Sequence, residues 1–278
     1  MHGPELHQGP AAGQALIWLV SGTGEGPGLA QALLARGWRL QVSVVTAAAA
    51  RAYPPHPALR VQVGALEGET AIRAELERLR PRWLVDGSHP FARLISAQLE
   101  AASRHSGQPL LRLERPTLES SGEAATLLAR LEDLASLNLK GERLLLAIGS
   151  RHLAAALKAS NAAAHYARIL DNPTSLQLAL AAGMAPERLA CLRPGLGDGN
   201  GLPDSGGLER ALCRHWGISA VLCRQSGGAT EQLWRRLAGE LGLRLLLLQR
   251  PQAAGSGLPL EALLEKLGWP EGPPAPSP

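Results

Sequence analysis

Residues 16–28 read LIWLVSGTGEGPG, a continuous apolar run followed directly by a glycine-rich turn. An uninterrupted run such as Leu16–Val20 is typical of a strand that is buried on both faces of a parallel sheet. The residues after the turn, Leu29–Arg36, have helical character, and Gly37 ends that helix. A strand, a glycine-rich turn and a helix in this order predict the start of a doubly wound α/β unit.

The same alternation continues along the chain. Further strands are predicted at 40–45, 60–63, 83–86, 110–113, 143–148, 166–170, 188–192, 219–224 and 243–249. Helices lie between them, including 69–80, 90–105 and 124–137, and the pattern restarts after Pro116. About ten strands predict two Rossmann-like doubly wound parallel-sheet domains with an interdomain cleft, rather than one ten-stranded sheet.

This pattern divides the chain into four parts. We expect an N-terminal extension at 1–15, a dinucleotide-binding domain at 16–117 and a second Rossmann-like domain at 118–251. The remainder, 252–278, is rich in glycine and proline and carries one short helix at 260–267, so it is predicted to be a flexible tail.

Composition limits the class of ligand. The 278 residues carry a net charge of +4, and 25 of the 28 basic residues are arginine, which favours bidentate contact with carboxylates and phosphates. Aromatic residues make up only 3% of the chain, which argues against nucleic-acid binding and favours a small anionic ligand. A codon bias toward arginine is the alternative explanation.

Cysteine usage and hydropathy indicate the compartment. The three cysteines form no C-x-x-C pair, which is typical of a reducing cytoplasm. We find no secretory signal, no membrane-length apolar run and no clustered metal ligands, so no membrane or metal is expected. The oligomeric state stays open, and a monomer is compatible with the sequence.

The glycine-rich turn is a candidate phosphate site. Gly22 and Gly24 fit the first two positions of the dinucleotide fingerprint G-x-G-x-x-G, whereas Pro27 occupies the third and Gly28 follows it. A purely structural turn is the alternative. The segment after the second strand contains no acid for a ribose hydroxyl but offers Arg51 for a 2′-phosphate, which favours NADPH while NADH remains open.

Three other segments follow predicted strands and could face a ligand. DGSHPFA at 86–92 carries His89 at the point where strand meets helix, and a histidine that only caps the helix is the alternative. GSRH at 149–152 and RQSGGAT at 224–230 offer further glycine-rich helix starts that could hold anions. The chain has no G-x-S-x-G or H-E-x-x-H motif, which disfavours hydrolase functions.

Taken together, these segments resemble the precorrin-6A reductase / cobalt-precorrin-6A reductase family of cobalamin biosynthesis. The resemblance covers roughly residues 16–251 and rests on the order of six stretches: LIWLVSGTGEG, VDGSHPFARLISAQLEAA, PLLRLERPTL, LLLAIGSRHL, AHYARIL and AVLCRQSGGATEQLWRRLAGELGLRLLLLQRP. It implies two Rossmann-like halves, NAD(P)H as hydride donor, and reduction of one ring double bond in a precorrin macrocycle to give the 6B form. The macrocycle carries many carboxylates, which suits an arginine-rich chain.

The resemblance also implies roles for single residues. The expected cofactor-binding residues are Gly22, Thr23, Gly24, Glu25, Thr46, Arg51, Ser88 and Pro90. The expected substrate-binding residues are Phe91, Gly149, Ser150, Arg151, Arg224, Ser226, Gly227 and Gly228. His89 is a candidate acid for the proton that accompanies the hydride, with a substrate carboxylic acid or water as alternatives.

The chain departs from the family pattern at three places, one of which is Ser21, where glycine is common. Arg224 stands where a lysine usually precedes the Ser-Gly-Gly motif, and Glu231-Gln232 stand where the next helix usually has a lysine. Two alternatives therefore remain: another NAD(P)-dependent α/β oxidoreductase, or a non-catalytic tetrapyrrole-binding relative.

Overall fold

The apolar run at residues 16–20 belongs to the central strand of the first of two parallel sheets. We describe a computed structural model, which covers residues 15–22, 24–118, 125–192, 206–251 and 257–270. The described residues form two units: one holds those up to Arg115 together with 257–270, and the other holds those within 116–251. The expected extension at 1–15 lies outside the described residues except for Ala15.

Unit 1 contains a five-stranded sheet in the order β3-β2-β1-β4-β5. Its strands are β1 (Leu16–Ser21), β2 (Arg39–Val44), β3 (Leu59–Val63), β4 (Trp83–Gly87) and β5 (Leu110–Arg112). Its first four helices are α1 (Gly26–Ala35), α2 (Ala47–Ala50), α3 (Gly68–Leu79) and α4 (Arg93–Ser106). Every strand pair is parallel, so the predicted Rossmann-like order is confirmed.

The side chains of β1 explain why this strand is apolar throughout. Ile17 and Leu19 pack into the cluster that includes α1, whereas Trp18 and Val20 pack on the opposite face against α3 and α4. Successive strand residues point to opposite faces, and both faces are covered here. The indole N–H of Trp18 donates to Ser43 Oγ at 2.9 Å, so the polar atom of this fully buried ring has a partner.

Unit 2 contains a six-stranded parallel sheet in the order β6-β11-β10-β7-β8-β9. Its strands are β6 (Thr126–Leu128), β7 (Arg143–Ala147), β8 (Ala164–Ile169), β9 (Leu189–Cys191), β10 (Ala220–Arg224) and β11 (Arg244–Leu248). Its helices are α5 (Leu153–Ala159), α6 (Pro173–Ala181), α7 (Gly207–His215) and α8 (Ala229–Leu241), with 3₁₀ turns at Leu131–Ser136, Ser150–His152 and Pro186–Arg188. The strands β9-β8-β7-β10-β11 repeat the order of unit 1, and β6 adds an edge strand.

The helix predicted at 124–137 is wrong. Within that segment, Thr126–Leu128 pair in parallel with β11, and a 3₁₀ helix follows at Leu131–Ser136. Alanine and leucine gave the segment a helical composition, but sheet pairing at the edge outweighs this weak intrinsic preference.

The predicted flexible tail is also corrected for residues 257–270. A ninth helix, α9 (Leu260–Leu267), buries Leu263 and Leu267 in the same core cluster as α1. Leu258 forms a parallel bridge with Leu113, and the indole of Trp38 donates to the carbonyl of Gly268 at 2.9 Å. This part of the C-terminal region is therefore a structural component of unit 1.

Candidate cofactor and substrate site

The carboxyl ends of β1 and β4 meet at the topological switch point of unit 1. These strands are neighbours, with Ser21 opposite Gly87, and their connections lead to opposite sides of the sheet. Open α/β sheets bind ligands at such a point. The structure thus brings together two of the predicted segments, the glycine-rich turn after β1 and the Ser88-His89 segment after β4.

Buried hydroxyl groups hold the glycine-rich turn in place. Ser21 Oγ donates to the Gly87 carbonyl at 2.9 Å, and Tyr53 Oη donates to the Gly22 carbonyl at 2.7 Å. Burial raises the pKa of Tyr53 to about 12, although a hydrogen bond with Ser21 opposes the shift. A side chain at position 26 would collide with both hydroxyl groups, so Gly26 is required here for space rather than for an unusual backbone angle.

The start of α1 has the features of a phosphate site. Among the described residues, the N-cap Glu25 makes no side-chain capping hydrogen bond. The first-turn N–H groups of Gly26 and Gly28 have no partner within the helix, and Pro27 between them has no N–H. A side chain at Gly22 or Gly28 would meet no atom within 4 Å, so space is open at these two positions of the turn. These observations fit a dinucleotide phosphate. Thr23 lies outside the described residues.

An ion pair crosses this turn. Glu25 Oε2 lies 2.5 Å from a terminal nitrogen of Arg115, whose side chain is only 10% exposed. The same nitrogen lies 3.2 Å from the position of a Cβ on Gly24. Sequence reasoning did not assign Arg115 a role, although it lies within the LERP stretch after β5 that carries the resemblance.

The segment after β2 offers groups for the ribose end of a cofactor. Thr46 accepts a hydrogen bond from the Ala49 N–H at 3.1 Å and thereby caps α2. Arg51, at the end of α2, is exposed, and its side chain makes no ion pair with any described residue. The segment after β2, residues 45–51, thus carries one positive charge and no acid.

A tight turn positions the predicted His89. Pro90 and Phe91 lie in a turn that the Ala92 N–H closes on the His89 carbonyl at 2.7 Å, and α4 begins at Arg93. The prediction that this helix starts at Pro90 is thus off by three residues, because the fixed φ of proline suits the second position of a turn equally well. His89 Nδ1 accepts from the Phe91 N–H at 3.2 Å, which assigns the proton of a neutral imidazole to Nε2.

A buried acid that sequence reasoning missed supports this turn. Asp86 is 2% exposed and accepts from the Ser88 N–H at 2.9 Å, while its other oxygen lies 3.8 Å from Arg112 Nε. Ser88 Oγ also lies 3.1 Å from Ser96 Oγ on α4. These contacts fix the backbone from which His89 projects.

Unit 2 has an equivalent switch point between β7 and β10. Gly149, Ser150 and Arg151 follow β7, and the motif that starts at Arg224 follows β10. Gly149 has a φ of 88°, which explains the glycine. Burial lowers the pKa of His152, and the nearby charges of Arg224 and Arg151 lower it further. Three basic side chains therefore share this edge.

The Ser-Gly-Gly turn of unit 2 already holds a carboxylate. The Gly227 N–H donates to Glu231 Oε2 at 2.7 Å, and Arg235 lies 2.8 Å from the other oxygen of this fully buried acid. Glu231 therefore occupies the N–H of Gly227, and the expectation that Gly227 is a substrate-binding residue stays a prediction. Ser226 is 4% exposed and Gly228 precedes α8 directly, so both support the turn.

The described residues meet the requirements of neither a metal site nor a membrane-spanning helix. No three His, Cys, Asp or Glu side chains cluster there closely enough to hold a metal ion. None of the helices in those ranges has the length and apolar character needed to cross a bilayer.

Comparison with known proteins gives a consistent result. A solved structure titled "CobK precorrin-6A reductase" superposes with a TM-score of 0.73 at 24% identity, over 93% of this chain and 100% of that one, which shows a shared fold. A cobalt-precorrin-6A reductase of Synechocystis sp. is 34% identical, over 86% of this chain and 89% of the relative. A precorrin-6A reductase of Rhodobacter capsulatus is 28% identical, over 91% of this chain and 94% of the relative.

The family assignment rests on nearly the whole chain. Residues 16–267 match the family model described as "Precorrin-6x reductase CbiJ/CobK", and this range includes both switch points and α9. The chain belongs to the precorrin-6x reductase family.

Proposed function

We propose that this chain is an NAD(P)H-dependent reductase that transfers a hydride to a ring double bond of precorrin-6A, or of its cobalt form, to give the 6B form in cobalamin biosynthesis. The observation that carries the proposal is the glycine-rich start of α1, which the Glu25 side chain does not cap, at a switch point in a chain that matches a reductase family over residues 16–267. It is an oxidoreductase reaction on a carbon–carbon double bond. Three cysteines with free thiols support a reducing, cytoplasmic location.

The cofactor side of the proposal uses unit 1. The first turn of α1 and the backbone of Gly22 and Gly24 would hold the pyrophosphate, and Arg51 the 2′-phosphate of NADPH. When bound, the nicotinamide supplies the hydride, so the chain needs chiefly to bind, orient and exclude water. Thr46 supports the ribose end by fixing α2, and Ser88 and Pro90 form the backbone beside the nicotinamide.

The substrate side uses the basic residues of unit 2. Arg151 and Arg224 provide guanidinium groups that match the carboxylates of the macrocycle. Gly149 and Ser150 place no large side chain at this edge, and Arg224 ends β10 directly before the turn that Glu231 holds. Phe91 in unit 1 offers an apolar surface for the macrocycle.

His89 is the proposed proton donor, because it follows β4 at the switch point beside the glycine-rich turn. Donation requires the imidazolium form, in which Nδ1 is protonated and no longer accepts the hydrogen bond from the Phe91 N–H. General acid catalysis contributes roughly 10²–10⁴-fold. We expect the His89→Ala variant to lose at least that lower factor in single-turnover reduction at neutral pH. A loss of less than about tenfold would assign the proton to a substrate carboxylic acid or to water.

The test of the function is cofactor oxidation. The protein is incubated with NADPH or NADH, with precorrin-6A or cobalt-precorrin-6A, and absorbance of the reduced cofactor is followed. We expect oxidation that depends on the macrocycle and is faster with NADPH. No oxidation of either cofactor with either macrocycle would refute the reductase, and macrocycle binding without oxidation would favour the non-catalytic relative.

A further inference from the structure

The turn that would hold the cofactor phosphates contains an acid. Glu25 is the N-cap residue of α1 and immediately precedes Gly26. A carboxylate at a helix N-terminus is stabilised by the helix dipole, but it occupies the position where a phosphate gains the same stabilisation. An unneutralised Glu25 would therefore repel the ligand that the turn is built to hold.

Arg115 is placed to remove that repulsion. It reaches the turn from the segment that follows β5, and its guanidinium lies 2.5 Å from Glu25 Oε2. The side chains are 10% and 32% exposed, so water screens the pair only in part. The guanidinium also lies close to the turn at Gly24, at 3.2 Å from a hypothetical Cβ on that residue.

We propose that Arg115 is a positioning residue for cofactor binding, which acts by neutralising Glu25 at the start of α1 rather than by contacting the phosphate itself. This inference rests on the proposed function. The two residues then act together, because Arg115 is needed for cofactor binding only when Glu25 is present. Loss of the arginine alone leaves a negative charge in the phosphate site, whereas loss of both leaves a neutral turn.

The test is a double-mutant cycle read by isothermal titration of the full chain with NADP⁺, which requires no turnover. We expect Arg115→Met to raise the Kd at least about tenfold, equivalent to roughly 1.4 kcal/mol. The Glu25→Gln/Arg115→Met variant should return to within about threefold of the unmodified chain. Glu25→Gln alone should bind NADP⁺ more tightly, because the positive charge remains and the negative one is gone.

Two further variants separate charge from folding. Arg115→Lys keeps the charge and should bind NADP⁺ more nearly like the unmodified chain than like Arg115→Met. Arg78→Met breaks an ion pair of the same 2.5 Å length, with Glu75 on α3, away from the glycine-rich turn, and should leave the Kd unchanged. If Arg115→Met does not fold, the Glu25→Gln variant decides, since it retains Arg115.

Two results would overturn this proposal, and a third would remove the proposed function with it. A double variant that binds as weakly as Arg115→Met would show that Arg115 contacts the phosphate or holds the turn by itself, and would overturn the proposal. Weaker or unchanged binding by Glu25→Gln would do the same. If the unmodified chain binds neither NADP⁺ nor NADPH, the proposed function fails first and the inference fails with it.

Discussion

Replacement of Gly26 by alanine should disable the glycine-rich turn. The new methyl group would lie within 2.9 Å of Ser21 Cβ and closer still to Ser21 Oγ and Tyr53 Oη. Both hydroxyl groups are engaged, the first with the Gly87 carbonyl and the second with the Gly22 carbonyl. The methyl group therefore cannot be accommodated without breaking at least one of these contacts.

The cost follows from those contacts. Overpacking a buried site costs about 1–3 kcal/mol, and one lost hydrogen bond adds about 1 kcal/mol. Alanine recovers less than about 1 kcal/mol through helix propensity, which leaves a net loss of about 1–3 kcal/mol in the free energy of unfolding of unit 1. For a unit of this size the loss lowers Tm by several degrees, on the order of 2–4 °C per kcal/mol.

Differential scanning calorimetry of the full chain measures this loss, and titration with NADP⁺ measures the effect on the turn. Gly28→Ala is the matched control in the same helical turn, because a Cβ there meets no atom within 4 Å, and its Tm should change little. In a Tyr53→Phe background, Gly26→Ala should cost less, since one of the colliding atoms is absent. Equal Tm values for the Gly26→Ala and Gly28→Ala variants would show that the space at position 26 is not restricted by Ser21 and Tyr53.

Three further predictions follow from buried groups. The pKa of Tyr53 is about 12 in the folded state against an ordinary value of 10, so its contribution to stability is complete below pH 10 and is lost as the pH rises from about 10 to 12. Urea unfolding should show the free energy of unfolding fall by up to about 3 kcal/mol over this range. The Tyr53→Phe variant should show a smaller fall. Glu231→Gln should lower the free energy of unfolding by about 3 kcal/mol in urea, because the Arg235 guanidinium then lacks a buried carboxylate; a loss below 1 kcal/mol would contradict this. Leu263→Ala should lower the free energy of unfolding by about 2–5 kcal/mol, whereas Leu260→Ala should lower it by less than about 1 kcal/mol, because Leu260 is 43% exposed. Similar losses in the two variants would show that α9 is not part of the core of unit 1.

The sequence predicted the sheets well because their signal is local and repeated. The apolar run of β1, buried on both faces, and the strand–turn–helix alternation specify parallel strands, and glycine-rich turns mark the carboxyl edges. The position of His89 beside the first turn followed from the same logic, since the carboxyl ends of neighbouring parallel strands share one edge.

Contacts between distant segments were not predictable in this way. Tyr53 and Arg115 reach the turn from 31 and 90 or more residues away, and nothing in their local pattern marks them. The burial of α9 depends on its packing beside α1, which is far away in the sequence. The spacing of Leu263 and Leu267, four residues apart, does indicate a helix with one apolar face. Glu231 was considered only as part of the place where a family lysine is absent. Its spacing of four residues from Arg235 on one helix indicates an ion pair.

The proposed reaction delivers a hydride from a nicotinamide cofactor to a precorrin macrocycle. The most direct measurement is anaerobic turnover of precorrin-6A with NADPH that carries deuterium at C4 of the nicotinamide, with the product examined by mass spectrometry. We expect one deuterium per reduced macrocycle from one of the two C4 positions, matched by one cofactor oxidised. A reduced macrocycle without deuterium from either position, or cofactor oxidation without macrocycle reduction, would contradict it.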